Sequence, residues 1–366
     1  FFGGVTVDIY NSYQFQNFGK TSNRGIELSV NVDVINKGDF RFNVGAIYNY
    51  NRNKLDELPN ADQYLYSSYW GSSSLVPTND YMFVEGKAIG LVRGFISEGY
   101  YTVDDFNYTN GQYVLKEGVP DITKALTATY MHPYDLPAGQ TAFPGAAKFR
   151  DVDESGTVDL DDATCLGEVM PRHTGSFQLN FNYKNFDLST NFNWTAGGKV
   201  YNVAAMINAS GQEFDGIGAQ RASWVADAFK VYNVNAAGDL YAVTNPDELR
   251  ALNANAKYHL PYHQSGITSS EWLENGSYLR LQTLTLGYTL PKNWLTKVHV
   301  DKIRLYLTAT NLFTITGYSG IDPEANANPT GQSGFYSDLR IFPTLNMDFG
   351  TYPRARTFTF GANITF

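Results

Sequence analysis

The chain has 366 residues, of which 15% are aromatic and 17% charged, and its net charge is −9. That acidic balance excludes a nucleic-acid partner, which needs a basic surface. One cysteine, Cys165, excludes an intrachain disulfide and a cysteine-rich metal centre; as a lone thiol it is expected to be a buried small residue.

No run of about 18 apolar residues occurs, so no transmembrane helix is expected. The mean hydropathy of −0.30 does not argue for a soluble fold, because half of each strand of a membrane barrel faces a polar lumen. No leader segment precedes the first strand-like residues at Phe1-Phe2-Gly3-Gly4. The chain is therefore read as a fragment whose N-terminus lies elsewhere.

In chain order, Gly4–Tyr10 is a weak strand candidate. Residues 26–34 alternate cleanly, with Ile26, Leu28, Val30, Val32 and Val34 opposing Glu27, Ser29, Asn31 and Asp33. Residues 40–50 repeat this with Phe40, Phe42, Val44, Tyr48 and Tyr50 on one face. Next come 175–184, carrying Phe177, Leu179, Phe181 and Tyr183, and 186–194, carrying Phe186, Leu188, Phe192 and Trp194. Residues 278–290 and 302–312 follow, with Leu284, Leu286 and Tyr288, then Ile303, Leu305 and Leu307. The last strand, 355–366, aligns Phe358, Phe360, Ala362, Ile364 and Phe366. A period of two is the signature of a strand with one apolar and one polar face.

A soluble sandwich would also show half-polar strands. The connections separate the two readings. Short turns at 35–39, at Lys184-Asn185 and at 291–301 alternate with long connections at 51–174, 197–277 and 314–354. Loops beyond about 15 residues are rare in compact soluble domains. Short turns on one side and long loops on the other are the rule for outer-membrane barrels. The expected fold is all-β: a transmembrane antiparallel β-barrel with long extracellular loops and strand ends marked by Tyr48, Tyr50, Tyr183, Phe186, Trp194 and Phe366.

Residues 151–162 read Asp-Val-Asp-Glu-Ser-Gly-Thr-Val-Asp-Leu-Asp-Asp. The spacing follows a calcium-binding EF-hand loop. Asp151, Asp153 and Ser155 would supply oxygens at positions 1, 3 and 5, the Thr157 carbonyl at 7, Asp159 at 9 and Asp162 at 12, with Gly156 at the sharp turn. Ser155 replaces an acidic ligand and Asp162 is shorter than the usual bidentate Glu. The alternative is a solvated acidic turn held by side chain-to-backbone hydrogen bonds.

No nucleophile elbow or phosphate loop occurs, and no enzyme activity is expected. His259 and His263 have metal-ligand spacing, but Pro261 would break the helix needed to bring both rings together. Tyr64, Tyr66, Tyr69, Trp70, Tyr81, Trp224 and Trp272 could stack on sugars or peptides, although packing of the loops against one another is the preferred reading of each.

Several stretches resemble the SusC/RagA family of TonB-dependent outer-membrane transporters of Bacteroidota. They are Ser22-Asn23-Arg24-Gly25-Ile26-Glu27-Leu28, Lys148–Asp162, Pro171–Gly175 with the hairpin Phe181–Leu188, Asn275–Leu281, Leu286–Pro291, Asn311-Leu312-Phe313, Gly320–Glu324 and Tyr352–Gly361 with Phe366. The resemblance implies a 22-stranded barrel of which this chain supplies about the last eight strands, with the N-terminal plug domain absent from it. It also implies a SusD-like surface lipoprotein as partner and energy supplied by the TonB complex through the missing N-terminal part. The resulting expectation is import of an oligomeric nutrient, oligosaccharide or oligopeptide, across the outer membrane. The alternatives are a surface adhesin or binding barrel without transport, and a soluble carbohydrate-active β protein.

Overall fold

The computed structural model describes residues 19–59, 62–68, 76–127, 132–210, 222–260, 266–295, 300–325 and 346–366. The strand candidate Gly4–Tyr10 lies outside these residues. Seven long strands form one sheet: β1 (Lys20–Lys37), β2 (Phe40–Glu57), β3 (His173–Tyr183), β4 (Phe186–Ala196), β5 (Tyr278–Thr289), β6 (Lys302–Thr316) and β7 (Thr357–Thr365). Their spatial order follows chain order and every neighbouring pair is antiparallel. This is the meander of an up-and-down wall. Among the described residues its outer strands, β1 and β7, each have one neighbour in it.

Register shows why alternation was so legible. One row runs Ile35, Phe42, Phe181, Leu188, Leu286, Leu307, Phe360 across all seven strands. The next row runs Asp33, Asn43, Asn180, Ser189, Thr285, Thr308, Thr359. Side chains of successive residues point to opposite faces of a pleated sheet, so one face is apolar and the other carries amides and hydroxyls. The apolar face is left uncovered: Leu286, Leu307 and Phe360 are 47%, 46% and 74% exposed. A soluble sandwich would pack these side chains against a second sheet. The polar face is laced by side chains, with Ser189 Oγ donating to Asn180 Oδ1 at 2.6 Å and the Thr285 and Thr308 hydroxyls 2.9 Å apart.

Aromatic rings mark both ends of the apolar face. Phe40 meets Tyr183, and Phe186 meets Tyr288, at the short-turn end. Tyr48, Tyr50, His173 and Trp194 cluster at the other. Gly175 makes the second cluster possible, because a Cβ there would run into the Trp194 ring lying across it. The eight steps from Phe186 to Trp194 span about 26 Å along the strand, which at a barrel strand tilt of about 40° rises about 20 Å, most of the height of the lipid-facing band.

β1 and β2 are longer than their alternation suggested. Lys20–Gly25 pairs with 51–57, beyond the apolar stripe. Apart from Leu55, which is buried in a core of the connections, those residues are polar on both faces, so backbone pairing continues where hydropathy carries no alternating signal. The connection predicted to start at residue 51 therefore begins as strand.

The long connections fold into shared cores. The larger one combines Phe95, Tyr101, Phe106, Tyr113, Phe143, Phe149 and Val158 of the first connection with Phe229, Val231, Val243, Leu249, Leu260 and Ile267 of the second. A second core adds Leu55, Tyr66, Tyr81, Phe83 and Val92 to Tyr201, Val203, Met206, Trp224 and Trp272, and takes in Met347 of the third connection. Each large side chain so buried contributes about 1.5–3 kcal/mol. Cys165, expected inside, is instead exposed. It lies on the strand Thr164–Glu168, at the edge of a four-stranded sheet, and takes one of the outward turns of the alternation.

Candidate functional site

The acidic loop is held by this core and not by the wall. Before it, Ala147–Phe149 pairs with Ser97–Tyr100, and Arg150 pairs with Glu98 at 3.0 Å. Within it, Thr157–Val158 pairs in parallel with Asp121–Ile122, and Val158 is fully buried. The loop turns sharply through Glu154 (φ 59°) and Gly156 (φ 86°). The second is the left-handed conformation that glycine adopts without a Cβ clash.

Of the six sequence-predicted ligands, the fold brings three carboxylates together. Oxygens of Asp151, Asp153 and Asp162 all lie within 4.8 Å of one another. Two ligands on opposite sides of a Ca²⁺ at 2.3–2.6 Å would be about 4.6–5.2 Å apart, so the spacing fits one ion. Asp162 is buried and organises the loop: Oδ1 accepts from Val152 N (2.5 Å) and Asp153 N (3.3 Å), and Oδ2 from Asp159 N (2.8 Å). Asp151 accepts from Ser155 N (3.1 Å) and Gly156 N (2.7 Å). The Ser155 amide, 3.0 Å from Asp153 Oδ1, holds that carboxyl below its ordinary range. Ser155 Oγ donates to the Thr157 carbonyl at 2.9 Å.

Asp159 is not in the converging group. Its Oδ1 accepts from Asp161 N at 2.8 Å and caps the 3₁₀ turn Leu160–Asp162. These backbone contacts belong equally to the solvated-turn reading, so the arrangement is a preformed cradle of three carboxylates.

The loop aromatics are mostly core. Tyr66, Tyr81, Trp224 and Trp272 are buried, and Trp224 stacks on Tyr258 at 3.9 Å between centroids. Tyr64 is exposed, while Tyr69 and Trp70 lie outside the described residues. His259 is buried against Trp224, its Nδ1 is 2.9 Å from the Leu260 carbonyl, and burial pushes its pKa down to about 4. His263 lies outside the described residues.

One constellation escaped the sequence reading. Arg280, 3% exposed on the polar face of β5, binds Asp322 at 2.6 Å, Glu324, and Thr314 Oγ1 at 2.9 Å. Arg354 reaches the same Glu324 at 3.3 Å. The ion pairs fasten the start of the third connection to the wall. The inward parity of Arg280, set by its pairing with Asn193, was the available signal. It was obscured by the register shift between Leu281 and Thr283, which puts Leu281 and Leu284 on one face although they are three residues apart.

No family model matches the sequence. Individual relatives do. TonB-dependent receptor P3 of Formosa agariphila is 30% identical over 356 residues, 97% of this chain and 30% of the relative. TonB-dependent receptor P26 of the same organism is 25% identical over 96% of this chain. TonB-dependent receptor SusC of Bacteroides thetaiotaomicron is 24% identical over 98% of this chain and 28% of its own length. The chain thus spans about 30% of the length of these relatives. Among solved structures, the RagAB peptide transporter superposes with a TM-score of 0.61 at 21% identity over 98% of this chain and 30% of the other. The RagAB importer in its open-open state gives 0.61 at 19% over the whole chain. The seven-stranded sheet is accordingly a section of a transmembrane barrel wall, with its apolar face toward lipid and its amide and hydroxyl rows toward the lumen. Relatives that are receptors rather than enzymes match nearly the whole sequence, and over its length the chain is similar to part of a TonB-dependent receptor of the SusC kind.

Proposed function

We propose that this chain forms part of the wall and the extracellular collar of an outer-membrane importer that takes up an oligomeric nutrient, oligosaccharide or oligopeptide. The observation that carries the reading is the two-faced wall bearing large folded connections at one end only. Such a wall separates lipid from a polar passage, and the folded end is built to meet ligand and partner outside the cell. In this reading the partner is a SusD-like lipoprotein seated over the collar, and the TonB complex supplies energy through a part of the receptor beyond this chain. The relatives and the RagAB transporter structures support import in general, and the RagAB structures concern peptides.

The test is deletion of the whole receptor and growth on defined polymers. Loss of growth on one polymer, restored by the intact gene, is the expected result. Binding to cells without any growth defect would favour the adhesin. Proteolysis of intact cells checks sidedness: cleavage should fall in 58–172, 197–277 and 317–356, and cleavage confined to 35–39 and 291–301 would invert the topology.

We further propose that Asp151, Asp153 and Asp162 hold one Ca²⁺, with Ser155, the Thr157 carbonyl and Asp159 completing the shell as the loop closes on the ion. A hard divalent cation suits clustered carboxylates on a flexible turn, and it relieves their mutual repulsion. Its effect would be to stiffen the collar locally, since the wall strands pair without it.

A further inference from the structure

We infer that a cavity on the polar face of the wall, where it meets the third connection, holds one uncharged sugar unit of an oligosaccharide, a site that rests on the importer reading and selects one of its two cargo classes. Thr195, next to last in β4, pairs with Tyr278, the first residue of β5. They share a face with Asn193 and Arg280, so both project into the lumen. Pro171, Pro323, Glu324 and Asn346 help to complete the lining of a cavity of about 210 Å³. Sites that take a whole small molecule run from about 300 to 1,000 Å³, so this one suits a single unit of a longer ligand.

The lining has the two kinds of surface that a sugar ring has. The Tyr278 hydroxyl bonds with Thr195 and Glu324, which fixes the ring in place. Arg280 lies against one face of that ring, 5.3 Å from its centroid, and leaves the other for the C–H side of a pyranose, which the negative ring face attracts. Pro171 and Pro323 add rigid apolar surface. The polar groups are the Thr195 hydroxyl, the Glu324 carboxylate, still 30% exposed, and the Asn346 amide, whose Nδ2 is fixed on the Val169 carbonyl at 2.6 Å and whose oxygen can accept. Hydroxyls both donate and accept, so the edge of one sugar ring can satisfy all three. The charges nearby cancel. Arg280 holds Asp322 (2.6 Å) and Glu324, and Arg354 holds Glu324 (3.3 Å), so two cations meet two carboxylates. A charged side chain or peptide terminus therefore finds no surplus of opposite charge. Nor does a peptide backbone find an open strand edge to pair with, because Thr195 already pairs with Thr174 and Tyr278, and Tyr278 with Thr195 and Thr316.

Calorimetry on the whole receptor in detergent micelles tests this, with neutral hexasaccharides of glucose, xylose, mannose and galactose as probes and tryptic casein peptides as competitors. At least one hexasaccharide should bind, and the peptides should not displace it. Thr195→Val removes one neutral hydrogen bond and should weaken that binding about 2- to 10-fold. Thr195→Trp fills the cavity and should weaken it on the order of tenfold or more. Both substitutions leave the ion pairs intact. Binding of none of the hexasaccharides, binding indifferent to Thr195→Trp, or displacement by the peptides would each overturn the proposal. If Thr195→Trp does not fold, Thr195→Val decides alone, and unchanged affinity overturns it. The importer reading fails separately: cavity-dependent binding by a receptor whose deletion causes no growth defect counts against import and leaves the site standing.

Discussion

Leu179→Arg is the sharpest test of which face meets lipid. Leu179 lies midway along β3, four residues from Tyr183 at one aromatic end and four from Gly175 at the other, and it pairs with Val44 and Thr190. At that depth an arginine has no water to solvate it and is too far from either interface for its guanidinium to escape readily. The cost of such a charge at the midplane of a barrel is about 2–4 kcal/mol, and it falls to about 0–1 kcal/mol near the interfaces. At 1.4 kcal/mol per factor of ten, the folded-to-unfolded equilibrium constant should fall on the order of 30- to 1000-fold. Gln178→Arg, one residue away, turns toward the lumen beside Gly45 and Asn191 and should cost little. Reversible folding of the whole receptor into lipid vesicles, titrated with urea, would measure both. Equal costs at the two positions would refute the two-faced wall, and so would a costly Gln178→Arg beside a neutral Leu179→Arg.

Other predictions concern the collar and its anchors. Calorimetry on the whole receptor should show one Ca²⁺ bound with weak affinity, about 10⁻⁴–10⁻³ M, and Asp151→Ala or Asp153→Ala should abolish it; no heat at millimolar calcium would leave only the solvated turn. Arg280→Leu should destabilise the junction of wall and third connection by about 3–5 kcal/mol, because Asp322, 7% exposed, would lose its cation. Rapid new proteolysis near 317–325 would report it, and unchanged protection would count against the anchor. His259, with its pKa depressed by burial to about 4, makes the folded collar carry fewer protons than the unfolded chain between about pH 4 and 6.5. Its stabilisation is therefore full above pH 6.5 and declines as pH falls through that window. Glu271, raised by burial to about 7, acts in the opposite sense: its stabilisation is present below the ordinary carboxylate range and is lost as pH rises through 7. Glu271→Gln should accordingly stabilise the collar at pH 8 more than at pH 5, and equal shifts in unfolding temperature at the two values would contradict the burial argument.

The sequence by itself determined the wall. Alternation between Phe177, Leu179, Phe181 and the polar residues among them is a local property, because each side chain's face follows from its own place in the pleat. The acidic spacing from Asp151 to Asp162 was readable for the same reason, since all its groups lie within one turn of chain. Only tertiary structure decided the rest. The collar's core joins residues such as Tyr113 and Val243, or Gly145 and Phe229, that are far apart in sequence and carry no shared period. The tyrosines and tryptophans among them look alike in sequence whether they grip a ligand or one another. Asp159 shows the same limit at short range: its spacing offered it as a ligand, and only the fold shows its carboxylate capping the turn beside the three that converge. Burial is a property of what the chain returns to cover, and no single segment encodes that.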